Sequence, residues 1–248
     1  MTTRRNAILN EIGLTPLWHK KQLSSNEQKA TSLQDLNVMK TNSLSTASNV
    51  QNILAINEGV RSTLSVNWDE LKISVKNCRA CGLCETRTQT VFGVGDESAD
   101  WLLVGEGPGA EEDLRGEPFV GQAGKLLDNM LNSIDLKRGH NVYIANTVKC
   151  RPPGNRHPQP DEMEKCFPFL IKQIQLIQPK LILALGKAAV QALLNTDIAI
   201  ARLRGKVHEY HQIPLIVTYH PAYLLRNLPD KFKAWEDLCF ARKIMQGL

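Results

Sequence analysis

The stretch WLLVGEGPGA, residues 101–110, joins a short apolar run to a glycine-rich turn. Three further apolar runs resemble its first half: VYIAN (142–146), LILALG (181–186) and LIVTYH (215–220). Short runs that are apolar throughout are typical of strands buried on both faces of a parallel sheet. The sequence therefore predicts four strands of a central, mostly parallel sheet.

Helical periodicity separates these runs. Apolar side chains recur at intervals of three and four residues in the segments between them: Leu126, Leu127, Met130, Leu131 and Ile134; Ile171, Ile174 and Ile177; Val190, Leu193 and Leu194. Alternating strands and helices form an open sheet covered by helices. We predict an α/β fold, a three-layer sandwich around a four-stranded sheet, with functional loops after Gly105, Asn146, Gly186 and His220.

Residues 1–66 differ in composition from the rest of the chain. From His19 to Asn67 there is no aromatic residue and no proline, and Ser, Thr, Asn and Gln dominate. Such a segment buries too little apolar surface to offset its loss of conformational entropy. We predict a flexible N-terminal extension over residues 1–66, with one short helix within residues 2–18, and a globular domain over residues 67–248. The helix is compatible with a peptide that docks an unknown protein and with an idle extension.

Composition places the chain among soluble globular proteins. It has 248 residues, of which 42% are hydrophobic, and no apolar run approaches the roughly 20 residues of a membrane helix. We expect a cytoplasmic monomer with reduced thiols and no membrane partner. The net charge is +5, but residues 1–66 hold seven Lys and Arg against four Asp and Glu. A surface for nucleic acid must therefore come from local clusters of charge.

Four of the six cysteines form two spaced pairs. Cys78 and Cys81 give C-x2-C within the stretch CRACGLC, and Cys150 and Cys166 enclose 15 residues. Four converging thiolates suit zinc and an iron-sulfur cluster almost equally well. The alternative is four separate buried thiols.

The turn after the first strand formally matches the dinucleotide fingerprint G-x-G-x-x-G/A. Glu111, Glu112 and Asp113 follow it, where the pyrophosphate of a dinucleotide would have to lie. These carboxylates disfavour NAD and FAD and suit a developing cation. Phe119, in the next glycine-rich loop, is either a core residue or a platform for stacking a flat ring.

Two later loops carry further polar chemistry. The stretch RPPGNRHPQP after Cys150 contains Arg151 and Arg156, and the last strand leads to HPAYLLRN. There, His220 is either a core histidine or a ligand-binding residue at a strand end. Leu225 and Arg226 are either packing and solvated charge, or a wedge and a phosphate contact.

Taken together, four blocks resemble the family 4 uracil-DNA glycosylases, the iron-sulfur branch of the uracil-DNA glycosylase superfamily. The blocks are CRAC, GEGPGAEEDLRGEPFVGQAG, NTVKCRPPGNRHP with the downstream Cys166, and HPAYLLRN, and they span about residues 68–248. The resemblance implies a [4Fe-4S] cluster held by Cys78, Cys81, Cys150 and Cys166, with zinc as the alternative and Cys84 as an extra thiol.

The resemblance also implies hydrolysis of the N-glycosidic bond of deoxyuridine in single- or double-stranded DNA, which leaves an abasic site. Phe119 then stacks on the flipped base, Asn146 selects uracil, and His220 donates to uracil O2. Glu106 positions the water, Gly107 belongs to the substrate site, and Glu112 and Asp113 assist. The DNA contacts fall to Arg226, Leu225, Arg151 and Arg156.

Two departures from the family 1 enzymes leave roles open. Gly107 stands where that family has a catalytic Asp, and Gly109 stands where it has a Tyr that excludes thymine. The general base and the means of rejecting thymine are therefore not assigned. Alternative functions are a superfamily sister acting on other deaminated bases, a non-catalytic iron-sulfur protein that binds single-stranded DNA, and a dinucleotide-dependent oxidoreductase.

Overall fold

The computed structural model describes residues 67–248. The predicted N-terminal extension and its helix lie outside the described residues. One sheet contains the strands β1 (Val94–Gly95), β2 (Trp101–Gly105), β3 (Val142–Asn146), β4 (Leu181–Leu185), β5 (Val207–Tyr210) and β6 (Ile213–Thr218). Their spatial order is β1-β3-β2-β4-β6-β5.

The sheet is mostly parallel, as predicted, but it has six strands rather than four. Strand β2 pairs in parallel with β3 and β4, and β4 pairs in parallel with β6. The two additional strands, β1 and β5, pair antiparallel at the edges. The sequence did not reveal them because β1 has only two residues and β5 is largely exposed, so neither forms a continuous apolar run.

Nine α-helices accompany these strands within residues 67–248: α1 (Trp68–Lys76), α2 (Leu83–Thr86), α3 (Ala110–Arg115), α4 (Gln122–Asn132), α5 (Pro160–Ile177), α6 (Lys187–Leu194), α7 (Ile200–Leu203), α8 (Pro221–Arg226) and α9 (Asp230–Met245). A short 3-10 turn covers Pro153–Asn155. None of the helices in this part of the chain is both long and apolar enough to span a bilayer.

Two hydrophobic cores lie on opposite faces of the sheet, which confirms the three-layer arrangement. Alternate residues of β2 point to opposite faces, as a pleated strand requires. Trp101 and Leu103 pack with side chains of α4, α8 and α9, whereas Leu102 and Val104 pack with α5 and α6. The apolar periodicity expected for α4, α5 and α6 therefore marks their buried faces, except that Ile171 of α5 is half-buried and lies outside both cores.

The strand order places the functional loops together. From β2, the chain moves to β3 on one side and then returns to β4 on the other side of β2. A crevice opens at such a reversal, beyond the carboxyl ends of the strands. The register aligns Gly105 with Asn146, so the last residues of β2 and β3 face the same crevice.

Candidate active site and cysteine cavity

A cleft of about 740 Å³ occupies this crevice. All four predicted loops contribute to its wall, through Glu106, Asn146, Gly186 and His220 among others. The volume lies within the usual range of about 300–1,000 Å³ for small-molecule sites. The cleft is therefore large enough for a single flat ring and its sugar.

Phe119 forms part of the cleft wall in a constrained backbone conformation. Its φ angle is +56°, which is uncommon for a residue with a bulky side chain. The guanidinium of Arg138 donates to the carbonyls of Pro118 and Phe119, at 2.8 Å each, and also to Asp128. These bonds stabilise the turn that presents the Phe119 ring.

Asn146 lies at the floor of the cleft with an unsatisfied acceptor. The residue is only 2% exposed, and its side-chain Oδ1 has no hydrogen-bond partner. A buried polar atom without a partner costs roughly 1–3 kcal/mol. A ligand that carries an N–H donor would remove this cost.

Gly105 allows Asn146 and Phe119 to approach the strand end closely. A Cβ atom at Gly105 would lie 2.4 Å from Asn146 Oδ1 and 2.6 Å from Phe119 Cζ. Both distances are well inside van der Waals contact. Glycine is therefore required here by space rather than by backbone conformation.

His220 is a neutral imidazole with a defined tautomer. Burial, and secondarily the charge of Arg226, lower its pKa to about 4. The backbone N–H of Ala222 donates to Nδ1 at 3.1 Å, so the proton resides on Nε2. The ring stacks beside Phe119, with centroids 5.4 Å apart. His220 can therefore donate one hydrogen bond from Nε2 without carrying a charge.

Glu106 is paired across the cleft with His157. Glu106 Oε1 lies 2.8 Å from His157 Nδ1, and the side chains are 24% and 83% exposed, respectively. Burial raises the pKa of Glu106, and the contact with His157 lowers it in part. His157 belongs to the proline-rich stretch RPPGNRHPQP, and no signal in the sequence pairs it with Glu106.

The carboxylate of Glu112 lines the cleft but is held by three backbone N–H groups. It accepts from Gly109 at 3.1 Å, Val120 at 2.9 Å and Gly121 at 3.1 Å. These bonds tie the two glycine-rich loops together. A Cβ atom at Gly109 would lie 2.6 Å from Glu112 Oε2, so the carboxylate fills the space beside that glycine.

Gly107 also lines the cleft and cannot accept a side chain without displacement. A Cβ atom there would lie 2.7 Å from Cγ2 of the buried Val148. The space beside Gly107 is therefore closed to a side chain unless Val148 moves.

Asp113 does not reach the cleft, so its predicted catalytic role is wrong. The residue is 2% exposed, and its carboxylate accepts from the backbone N–H groups of Thr88 and Gln89. The helical position of Asp113 directs it towards this loop and away from the crevice. Its role is to anchor the segment before β1.

The four candidate DNA-binding residues differ in whether their side chains already have partners within the protein. Leu225 is 41% exposed, and Arg226 lies at the rim of the cleft. By contrast, the guanidinium of Arg156 forms a bidentate pair with Glu162, at 2.8 and 2.6 Å. Arg151 donates to Asn155 at 2.7 Å. The two loop arginines therefore stabilise the proline-rich loop as well as adding positive charge.

A second, smaller cavity brings the paired cysteines together. Its lining includes five thiols: Cys78, Cys81, Cys84, Cys150 and Cys166. All five are free of disulfides. Cys150 and Cys166 are buried, and burial raises the pKa of the Cys166 thiol to about 11. Convergence of distant cysteines argues against four unrelated buried thiols.

Cationic groups also border this cavity. Arg87 donates to Cys150 Sγ at 2.9 Å, and the backbone N–H of Lys149 donates to Cys166 Sγ at 3.2 Å. Lys165 lines the same cavity. Burial is the larger effect and raises the pKa of the Cys150 and Cys166 thiols, and the contacts with Arg87 and Lys149 lower it in part.

No three His, Cys, Asp or Glu side chains within residues 67–248 are arranged to hold a single metal ion. The sulfur atoms instead surround a shared space. A tetrahedral zinc site requires its sulfurs about 2.3 Å from one ion. Four sulfurs that line one cavity are the donor set of both a zinc ion and an iron-sulfur cluster.

Comparison with known proteins gives a consistent family. Residues 92–239 match the family model described as the uracil DNA glycosylase superfamily. The type-4 uracil-DNA glycosylase of Archaeoglobus fulgidus is 47% identical over 185 residues, which cover 69% of this chain and 92% of that protein. The type-4 enzyme of Thermotoga maritima is 44% identical over 64% of this chain and 83% of its own length. The type-5 enzyme of Thermus thermophilus is 34% identical over 52% and 68%.

Proposed function

The chain belongs to the uracil-DNA glycosylase superfamily, and we propose that it hydrolyses the N-glycosidic bond of deoxyuridine through the cleft described above. It is a DNA repair enzyme that acts on uracil in DNA and leaves an abasic site. The observation that carries the assignment of the site is the buried, unsatisfied oxygen of Asn146. That oxygen lies beside an aromatic ring and a neutral histidine in one cleft.

Asn146 distinguishes uracil from cytosine by its donor and acceptor pattern. Its Oδ1 accepts from uracil N3–H, and its side-chain NH2 donates to uracil O4. Cytosine presents an acceptor at N3 and a donor at N4, so both contacts would be lost. Because Asn146 is 2% exposed, water cannot replace them cheaply.

His220 and Glu106 address the two charges that form when the bond breaks. Uracil departs with negative charge, and the Nε2–H of neutral His220 stabilises it at O2. The sugar becomes cationic, and the carboxylate of Glu106 stabilises it and positions the water. The Asp of family 1 enzymes is absent at Gly107, so the step depends on bond dissociation more than on a strong base.

Phe119 provides the stacking surface for the flipped base. A base stacked between two rings needs about 7 Å between those rings, because each contact spans about 3.5 Å. The rings of Phe119 and His220 are only 5.4 Å apart. The base therefore stacks on Phe119 and meets His220 at its edge. The carboxylate of Glu112, fixed beside Gly109, is our candidate for the group that rejects the methyl of thymine.

Contacts to DNA lie around the rim of the cleft. The target atom is hidden within a duplex, so the nucleotide must be flipped out or met in a single strand. Exposed Leu225 is placed to fill the gap left in the base stack, and Arg226 to contact phosphate. Arg151 and Arg156 extend the positive rim through the proline-rich loop.

We further propose that Cys78, Cys81, Cys150 and Cys166 hold a [4Fe-4S] cluster, with zinc as the alternative. The shared cavity of the thiols and the cations beside it support this assignment. The group would crosslink the CRAC segment to the proline-rich loop and fix both against DNA. Cys84 lines the same cavity and remains an additional thiol.

Metal analysis of purified protein tests the cluster separately from the activity. We expect a brown protein with about four iron atoms per chain. Colourless, zinc-loaded protein with full glycosylase activity would contradict the cluster and leave the enzyme assignment intact.

Excision assays on matched oligonucleotides test the function. We expect release of free uracil from single- or double-stranded DNA, with little or no release from thymine or hypoxanthine. Excision of hypoxanthine ahead of uracil would favour the superfamily sister. DNA binding without any excision would favour a non-catalytic single-strand binder.

The remaining expectations concern context. We propose a cytoplasmic monomer, in which residues 1–66 dock a second protein. Size measurement of the full chain tests the monomer. Comparison of its assemblies with those of a chain lacking residues 1–66 tests the docking.

A further inference from the structure

Lys149 is the largest fully buried side chain described, and the reaction scheme above does not use it. It lies between the two sites. Its Nζ donates to the backbone carbonyl of Asn146 at 2.9 Å and to Gln173 Oε1 at 2.6 Å. Its backbone N–H donates to Cys166 Sγ. The same residue therefore contacts the base-selecting strand end and the cysteine cavity.

The charge of Lys149 has no carboxylate partner among its hydrogen bonds in the described part of the chain. Buried charges are normally paired, because an isolated charge loses its hydration on burial and gains nothing in return. Lys149 itself lines the cysteine cavity. Thiolates that hold a metal group there would carry net negative charge and would supply the missing partner.

Gln173 holds the ammonium group of Lys149 in place. It is completely buried, and its Nε2 donates to the carbonyl of Phe92 at 2.9 Å. Lys149 Nζ is therefore held at a defined position by Gln173 while it contacts Asn146. A rigid donor on the Asn146 carbonyl restrains the end of β3, and so the direction of the Asn146 side chain.

We propose that Lys149 is a positioning residue, which orients Asn146 for base recognition from the side of the cysteine cavity. The inference rests on the proposed function, since it assigns Asn146 to uracil. Base recognition then depends on a residue that does not contact the base. A change in the cysteine cavity that moves Lys149 also moves Asn146, through the hydrogen bond from Lys149 Nζ to the Asn146 carbonyl.

Replacement Lys149→Met tests the proposal. We expect the single-turnover rate of uracil excision at saturating DNA to fall about 10- to 100-fold, because misplacement by about 1 Å can cost that much. DNA affinity and iron content should stay within about threefold of the unsubstituted protein. An unchanged excision rate in folded, metal-loaded Lys149→Met would overturn the proposal.

One control separates positioning from general damage. Lys165→Met removes another cation from the cavity lining and leaves the donor to Asn146 in place. It should excise uracil within about threefold of the unsubstituted rate. A loss as large as that of Lys149→Met in this control would show that damage at the cysteine cavity alone lowers the rate, and would refute the proposal.

A double substitution shows whether the effect passes through Asn146. In an Asn146→Ala background, Lys149→Met should cause less than a threefold further loss, because residues that act through one another are not additive. Full multiplication of the two losses would contradict the proposal. If Lys149→Met does not fold, Lys149→Gln, whose side chain is one atom shorter, replaces it with the same expected loss. Misfolding of both Lys149 variants while Lys165→Met folds would also contradict the proposal.

Uracil release by the unsubstituted protein distinguishes failure of the proposed function from failure of the Lys149 proposal. Absence of uracil release from it would refute the proposed function. Normal release together with insensitivity to Lys149→Met would refute only the role of Lys149.

Discussion

Substitution of Gly105 by alanine should damage uracil recognition through a single methyl group. The new Cβ would lie 2.4 Å from Asn146 Oδ1 and 2.6 Å from Phe119 Cζ, whereas ordinary contacts fall at 3.4–4 Å. Asn146, Phe119 or both must therefore move by about 1 Å. A displacement of that size costs about 100-fold in rate, or roughly 2.7 kcal/mol of transition-state stabilisation.

Single-turnover excision from a uracil oligonucleotide measures this loss, with thermal unfolding as a check on the fold. Overpacking alone is expected to cost about 1–3 kcal/mol of stability. Gly82→Ala is the matched control, because no atom lies within 4 Å of its added Cβ. A Gly105→Ala protein that is folded and excises uracil at the unsubstituted rate would refute the proposed packing of the base site.

Three further substitutions test separate parts of the site. His220→Ala should slow bond cleavage about 100- to 1,000-fold while DNA binding changes little; equal losses in the excision rate and in DNA affinity would count against leaving-group stabilisation. His157→Ala removes the contact that lowers the pKa of Glu106, so the acid limb of kcat/KM should move to higher pH, and an unmoved limb would disconnect this pair from catalysis. Leu225→Ala should reduce excision from duplex DNA more than from single strands; a uniform reduction would reassign Leu225 to packing.

The sheet could be predicted from the sequence because its central strands are buried on both faces. Each of these strands forms an apolar run whose length matches the structure closely, as Trp101–Gly105 and Val142–Asn146 show. The loops at their carboxyl ends then had to meet in one crevice. Edge strand β5 was not predicted because three of its four residues are at least partly exposed and two of them, His208 and Glu209, are polar. The strand therefore forms no apolar run.

Side-chain partners could not be predicted where they come from distant segments. Glu112 and Asp113 are neighbours in sequence, yet one lines the cleft and the other holds Thr88 on the far side of helix α3. Lys149 is completely buried, although lysine is among the residue types that are least often buried, so the sequence did not predict its enclosure. Its hydrogen bond to Asn146 depends on the bend of the chain after β3, which no periodicity encodes.

Comparison of uracil excision by the unsubstituted protein and by Asn146→Asp tests the central claim most directly. The substitution keeps the shape of the side chain but replaces its donor to uracil O4 with a carboxylate oxygen. We predict a loss of at least about 100-fold in the single-turnover rate on uracil, with DNA affinity within about threefold. Equal rates of uracil release from both proteins would contradict the account.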